Sequence, residues 1–302
     1  MVKKVLLSGI SGFVGAHIFE HLMTNTDWEV VGTYRNKTAG SLSRVDEVLD
    51  KHPEWSSRLT LIRHDFNDGV NTTDAKRFGK LDVILHVAAN SHVDRSITNP
   101  VEFANDNFMS VVKLLEWVRM IPKEEMPLFY YFSTDEVFGP APEGVDYTEE
   151  SRHRPNNPYA AAKSAAEQWL TACGNTYGIP YIISNCMNII GERQDPEKYV
   201  GLCINRVLSG ERLSIHSSPT GEPGKRHYLH ARNIAAAVVF LIENGKRGER
   251  YNVVGDQEVD NLQMALLIER FVQEYVYENA TVVINPDNTG YAEFSHGGVV
   301  RR

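Results

Sequence analysis

The first fifteen residues, 1–15, read MVKKVLLSGISGFVG. Two lysines precede a short apolar run, Val5-Leu6-Leu7, which meets Gly9-Ile10-Ser11-Gly12-Phe13-Val14-Gly15 at once. Apolar residues then return at helical spacing as far as Thr24. The pattern predicts a strand over residues 2–8, a G-x-x-G-x-x-G turn, and a helix over residues 13–24. A signal peptide also opens on basic and apolar residues, but this run is cut short by Ser-Gly-x-Ser-Gly and has no cleavage pattern. Glycine at such a turn permits a tight bend and a close backbone approach to a pyrophosphate seated on the helix N-terminus.

Working outward, further strands are expected at 29–34, 59–64, 82–86, 128–133 and 181–185. Helical spacing falls at 101–120 and 158–177. Strand–helix alternation predicts an α/β fold, a Rossmann-like doubly wound parallel sheet with its ligand crevice at the carboxyl ends of the strands. Beyond about Gly191 the loops lengthen, as in the Gly/Pro-rich stretch 217–225, and helices are expected at 200–209, 232–243 and 261–278. The division expected is a dinucleotide-binding domain over 1–190 carrying the catalytic residues, and a smaller nucleotide-sugar-binding lobe over 191–302. The helix at 232–243 is a candidate to pack back on the main sheet.

The 302 residues are 42% hydrophobic and 23% charged, enough to bury a core without staples. A net charge of −8 speaks against nucleic acid as a partner. No apolar run is long enough to span a membrane. Three scattered cysteines, Cys173, Cys186 and Cys203, suit reduced thiols and a cytoplasmic setting. No metal site is expected.

The second strand ends Gly32-Thr33-Tyr34-Arg35, without the acidic residue that binds a ribose 2′-hydroxyl, and Arg35 is placed to meet a 2′-phosphate or to be a solvated surface arginine. NAD and NADP both remain as readings. Asp65, after the third strand, is a candidate acceptor for the adenine amino group, with a turn cap as the alternative. His86-Val87-Ala88-Ala89 lets backbone pass close to the cofactor.

Tyr159-Ala160-Ala161-Ala162-Lys163 places a phenol and an ammonium one helical turn apart, so that Lys163 can lower the pKa of Tyr159. Upstream, Ser133-Thr134-Asp135-Glu136 ends a strand. Ser133 or Thr134 can hydrogen-bond a reacting oxygen. Asp135 and Glu136 can serve as proton donor and base, the alternative being an acidic pair at a helix N-terminus.

With these residues the chain resembles the extended short-chain dehydrogenase/reductase family, closest to its dTDP-glucose 4,6-dehydratases, over roughly residues 5–262. The stretches that carry the likeness are Ser91–Ser96 (SHVDRS), Ser133–Gly139 (STDEVFG) and Asn157–Glu167 (NPYAAAKSAAE), then Asn185–Asn188 (NCMN), Pro196-Glu197-Lys198 and Tyr251-Asn252. The resemblance implies a nucleotide-sugar 4,6-dehydratase acting on a dTDP-glucose or UDP-glucose type of substrate, with catalytic Thr134, Asp135, Glu136, Tyr159 and Lys163. It further implies cofactor contacts from Gly9, Gly12, Phe13, Val14, Gly15, Arg35, Asp65, Phe66, Ala88, Ala89, Asn107, Ser133, Tyr159 and Lys163. Ser91, His92, Asn188, Glu197, Lys198, Arg226 and Asn252 are implied to hold the substrate, and a homodimer through the two long helices with Phe108, Trp117 and Trp169 is implied as well.

The stretch 218–225, the His227-Tyr228-Leu229-His230 run and Ile189-Ile190 depart from the family pattern and leave the base and hexose open. The chain also ends at Arg302 without the usual C-terminal helices, which reads as a compact variant or a truncated sequence. An epimerase or decarboxylase of the same superfamily, and a non-catalytic dinucleotide-binding regulator, are the competing readings.

Overall fold

Six runs of β-favouring residues separated by helical segments require a crossover between parallel strands each time. The computed structural model, which describes residues 2–35, 42–142, 144–215, 217–218, 221–276 and 299–301, builds them so. In chain order the first unit contains β1 (Lys4–Ser8), α1 (Phe13–Asn25), β2 (Glu29–Tyr34), α2 (Ser43–Lys51), β3 (Leu59–Arg63), α3 (Thr72–Phe78) and β4 (Val83–His86). It continues through α4 (Val93–Thr98), α5 (Pro100–Ala104), α6 (Ser110–Arg119), β5 (Leu128–Thr134), α7 (Pro158–Tyr177) and β6 (Tyr181–Cys186).

The chain then leaves this unit at Met187 and returns to it over Ala231–Val253. The elements made on the way and after are β7 (Ile189–Ile190), α8 (Tyr199–Leu208), β8 (Leu213–Ile215), β9 (Lys225–His227) and β10 (Leu229–His230), then α9 (Ala231–Asn244) and β11 (Glu249–Val253). The last are β12 (Glu258–Asp260), α10 (Asn261–Val276) and β13 (Val299–Arg301). Residues 277–278 of the expected last helix, and Pro219 and Thr220 of the expected loop, lie outside the described residues.

In the first unit seven strands form one parallel sheet in the order β11-β6-β5-β4-β1-β2-β3. All residues of β4, β5 and β6 are buried, as strands covered on both faces must be. The order reverses between β1 and β4, which opens a crevice at their carboxyl ends. Helix α9 packs on α1, and β11 extends the sheet beyond β6 with Tyr251 opposite Ser184 and Asn252 opposite Asn185.

One expectation needs correction. The helix expected over 101–120 is two helices, α5 and α6, joined by a π-turn over Asn105–Met109. The widened turn carries buried Asn107, whose amide is committed elsewhere. Such π-bulges commonly mark functional positions.

The second unit, Asn188–His230 with Val254–Arg302, has a separate core of Cys203, Leu213, Ile215, Met264, Ala265, Ile268 and Val272. Helices α8 and α10 pack together around it, and β12 pairs antiparallel with β9.

Candidate active site

The turn after β1 is shaped by backbone contacts. Gly9 sits at φ 71°, and a Cβ there would lie 2.8 Å from Cα of Ala88. At Gly15 a Cβ would lie 2.1 Å from the Gly9 carbonyl oxygen. Only glycine fits at either place, the first for its φ as well. The amides of Gly9 and Ile10 donate to the Thr33 carbonyl at 3.0 and 3.2 Å, which locks the turn onto β2. Gly12 caps α1, and no side chain caps the first-turn amides of Phe13, Val14 and Gly15. Those amides and the positive helix end suit a pyrophosphate.

Across the crevice, Ser8 Oγ accepts from the amides of Val87 and Ala88 at 3.0 Å each and hydrogen-bonds His86 Nδ1 at 3.0 Å. Burial pushes the His86 imidazole down to about 3, with Lys163 adding to the effect. Asn107 accepts from the Asn90 amide at 2.8 Å and donates to the Asn90 carbonyl at 2.9 Å, which fixes the stretch after Ala89.

Arg35 pairs with Asp106 at 2.7 Å and lies 4.0 Å from Asp65, while half exposed. A guanidinium so occupied by carboxylates is a poor receptor for a 2′-phosphate. Asp65 caps the turn at Phe66–Asp68, its Oδ1 accepting from the Asn67 amide at 2.9 Å. Phe66 is buried among His64, Phe78 and His86.

At the end of β5, Thr134 caps the short 3-10 turn Asp135–Phe138 by accepting from the Glu136 amide at 3.3 Å, and its hydroxyl donates to Asp135 Oδ1 at 3.2 Å. Asp135 and Glu136 are therefore also the acidic first turn of that element, and both are half-buried. Asn157, the N-cap of α7, accepts from the Ala160 amide at 2.8 Å and donates to Glu136 Oε2 at 2.9 Å. One residue thus starts the helix that carries Tyr159 and orients the carboxylate beside it. Burial pushes the Tyr159 phenol up, Glu136 and Asp135 add to this, and the hydrogen-bonding Thr134 hydroxyl opposes it.

Lys163 finds its partners on β5. Its ammonium donates to the Phe132 carbonyl at 2.6 Å and lies over the Tyr131 ring at 4.2 Å. A fully buried ammonium needs an acceptor, and the strand carbonyl supplies one. Burial brings it down to about 7, against the pull of Glu167 and Cys186. The Ser133 hydroxyl donates to Glu167 Oε1, and Thr134 is the hydroxyl beside Tyr159.

Glu167 was not singled out by sequence reasoning. It is fully buried, accepts from Asn185 Nδ2 at 2.8 Å and pairs with Arg250 Nε at 3.0 Å. The i, i+4, i+8 spacing of Tyr159, Lys163 and Glu167 was a usable signal; the partner Arg250, far along the chain on β11, had none.

The model of the NAD dependent epimerase/dehydratase family matches residues 5–254. The chain belongs to that family. It is 34% identical over 290 residues to an Escherichia coli dTDP-glucose 4,6-dehydratase, covering 90% of this chain and 78% of the relative. Among solved structures it resembles a dTDP-glucose 4,6-dehydratase from Streptomyces venezuelae with NAD and TYD bound, at TM-score 0.76 and 28% identity, covering 88% of this chain and 80% of that one. A Bacillus anthracis dTDP-glucose 4,6-dehydratase in complex with NAD gives TM-score 0.78 at 25% identity, covering 90% and 81%.

The remaining candidates of this epimerase/dehydratase family member fall in both units. Ser91 and His92 stand at the start of α4 in the first unit, and Asn252 is on β11. Asn252 Nδ2 donates to the Tyr147 carbonyl at 3.1 Å and its amide donates to Glu149 at 2.9 Å, so it ties the loop before α7 to the sheet. Asn188, Glu197, Lys198 and Arg226 belong to the second unit; Asn188, Glu197 and Arg226 are exposed, and Lys198 is half-buried as the N-cap of α8. Arg226 is on β9, opposite Val259.

Proposed function

We propose that the chain is a nucleotide-sugar 4,6-dehydratase, a hydro-lyase that converts an NDP-hexose of the dTDP-glucose or UDP-glucose type into the 4-keto-6-deoxy sugar, with NAD held throughout. The observation that carries this reading is the Thr134-Asp135-Glu136 turn set beside Tyr159, with Asn157 joining the two. An epimerase needs a proton acceptor at O4 but no carboxyl pair. Loss of water from C5 and C6 needs a base and an acid together.

Bound NAD would supply the hydride acceptor at C4 and the donor at C6, so that net redox is zero. The protein's own groups do the proton work. Tyr159 receives the O4 proton, with the Thr134 hydroxyl bonded to it. Because burial and two carboxylates favour the neutral phenol, its use as a base requires a compensating cation, which Lys163 one turn along α7 supplies. Glu136, oriented by Asn157, takes the C5 proton, Asp135 protonates the departing O6, releasing water, and Glu136 returns a solvent-exchanged proton to C5 once C6 is reduced. The uncapped start of α1 receives the pyrophosphate, and the Asp106–Arg35 pair favours NAD over NADP. Asn188, Glu197, Lys198 and Arg226 are assigned to the substrate diphosphate.

The three buried free thiols suit a reducing compartment such as the cytoplasm. Phe108 and Trp117 pack against the core of the first unit, while Trp169 is exposed together with Val101 and Tyr177 on α5 and α7, and these suit a two-fold contact between copies. Sedimentation is expected to give twice the chain mass; only monomer at micromolar protein overturns the dimer.

The decisive assay for the activity is NMR in D₂O with a panel of nucleotide-linked glucoses and mannoses. A 4-keto-6-deoxy product with deuterium at C5 is expected. A product that keeps its 6-hydroxyl, inverted at C4 or exchanged, overturns the dehydratase reading in favour of an epimerase.

A further inference from the structure

A fully buried carboxylate is expensive, and packed apolar residues in its place are commonly neutral or stabilising. Glu167 is such a carboxylate, and no step above uses it. Its contacts converge on the catalytic strand end. Oε1 receives the Ser133 hydroxyl, one residue before Thr134, and also Asn185 Nδ2. The same Asn185 nitrogen donates to the Thr134 carbonyl at 3.1 Å, which fixes the peptide plane leading into Asp135. Oε2 faces Arg250 Nε at 3.0 Å and His153 Nε2 at 3.7 Å. Arg250 in turn donates to the Glu149 carbonyl at 3.1 Å, and His153 Nδ1 bonds Ser164 Oγ at 2.8 Å, so the carboxylate also anchors the loop that delivers Asn157 to Glu136.

We propose that Glu167 is a positioning residue of the active site: it braces the Ser133–Thr134 strand end against Arg250 and provides the counter-charge one helical turn from Lys163. The proposal rests on the dehydratase reading for its kinetic consequences only. Its electrostatic consequence is independent of substrate. The groups that face the Lys163 ammonium are Tyr131 and the Phe132 carbonyl from β5, His86 from β4, Cys186 from β6 and Glu167 from α7, with Arg250 of β11 and neutral His153 behind Glu167. His86 is neutral, burial pushes the Cys186 thiol up to about 12, and the Tyr131 phenol is pushed up as well. Burial pushes the Glu167 carboxyl up too, against the pull of Arg250, Ser133, Asn185 and Lys163, which leaves Glu167 as the one carboxylate that faces Lys163 among the described residues.

The test compares the full chain with Glu167→Gln and Glu167→Asp. In protein labelled with ¹³C at lysine Cε, the Lys163 resonance, assigned with Lys163→Met, is followed against pH. Lys163 is expected to lose its proton at least one pH unit lower in Glu167→Gln than in the wild type, and Glu167→Asp to recover most of the difference; an unchanged titration overturns the proposal. With dTDP-glucose, Glu167→Gln is expected to lower kcat at least tenfold at unchanged KM and to move the alkaline limb of the pH profile down. Unchanged kcat, or a loss confined to KM, overturns it. A wild type that turns over no nucleotide sugar counts against the dehydratase reading, while the lysine titration still decides the role of Glu167. Should Glu167→Gln fail to fold, Ser133→Ala removes one tie alone, and the same split between kcat and KM is expected, with an unchanged kcat again overturning the proposal.

Discussion

The turn after β1 owes its shape to atoms it lacks, whereas the strand end at β5 owes its shape to side chains that reach it from elsewhere. In the first region Gly9 leaves room for Ala88 and Gly15 for the Gly9 carbonyl, and the turn holds itself through main-chain bonds. In the second, α7 sends Tyr159, Lys163 and Glu167, β6 sends Asn185, β11 sends Arg250, and the loop before α7 sends Asn157 and His153. A cradle made of main chain tolerates no added atom. A site made of side chains tolerates no missing partner.

Four tests set these two constructions against each other. The largest effect is expected from Tyr159→Phe, which removes one oxygen and should lower kcat about 10⁴-fold, roughly 5 kcal/mol, with melting temperature and NAD binding unchanged; turnover within tenfold of wild type defeats its assignment. Arg250→Met should cost about 4 kcal/mol of stability by leaving the Glu167 carboxylate buried and unpaired. Denaturant titration checks this, and adding Glu167→Leu should restore most of the loss without restoring activity. If the double variant is as unstable as the single one, the pair is not coupled as described.

Gly15→Ala inserts a methyl where 2.1 Å is available and should cost roughly 2 kcal/mol of stability together with most of the affinity for NAD, read by calorimetric titration. Unchanged affinity would mean that the turn is not the cradle. The smallest effect concerns pH. His86 and His153 are pushed down by burial to about 3 and about 4, below their unfolded value of 6.5. The stability they contribute is full above pH 6.5 and is lost as pH falls through the folded values. Melting temperature should therefore drop between pH 6.5 and 4, and His153→Gln should recover roughly 1 kcal/mol at pH 5; a parallel acid limb in the variant removes His153 from the account.

The same contrast explains what could be read in the chain before its structure. The strands at 29–34 and 181–185 and the glycine turn were legible because period and turn chemistry are local, and the observed bounds differ by a residue or two at most. The grouping of Thr134, Asp135, Glu136 and Tyr159 was legible because each sits in a short motif. The break of the long helix at Asn105 was not, because it depends on Asn107 reaching back to Asn90. Nor was the direction of Lys163, since spacing along a helix says which face a side chain shares and not which acceptor it will choose. Arg250 lies in no motif at all, and only the pairing of β11 with β6 brings it to Glu167.

That pairing has a consequence for how the molecule is made. Chains emerge from the ribosome N-terminus first, at about 5–20 residues per second. After β6 has appeared, the whole stretch 188–230 must be synthesised before β11 can close the sheet. For those seconds β6 is an open edge, and the Glu167 carboxylate waits without its arginine. The edge beside β6 is thus the last part of the sheet to be completed. A chain released before β11 emerges carries the glycine turn but not the Arg250–Glu167 pair, so translation itself withholds the brace of the β5 strand end until then.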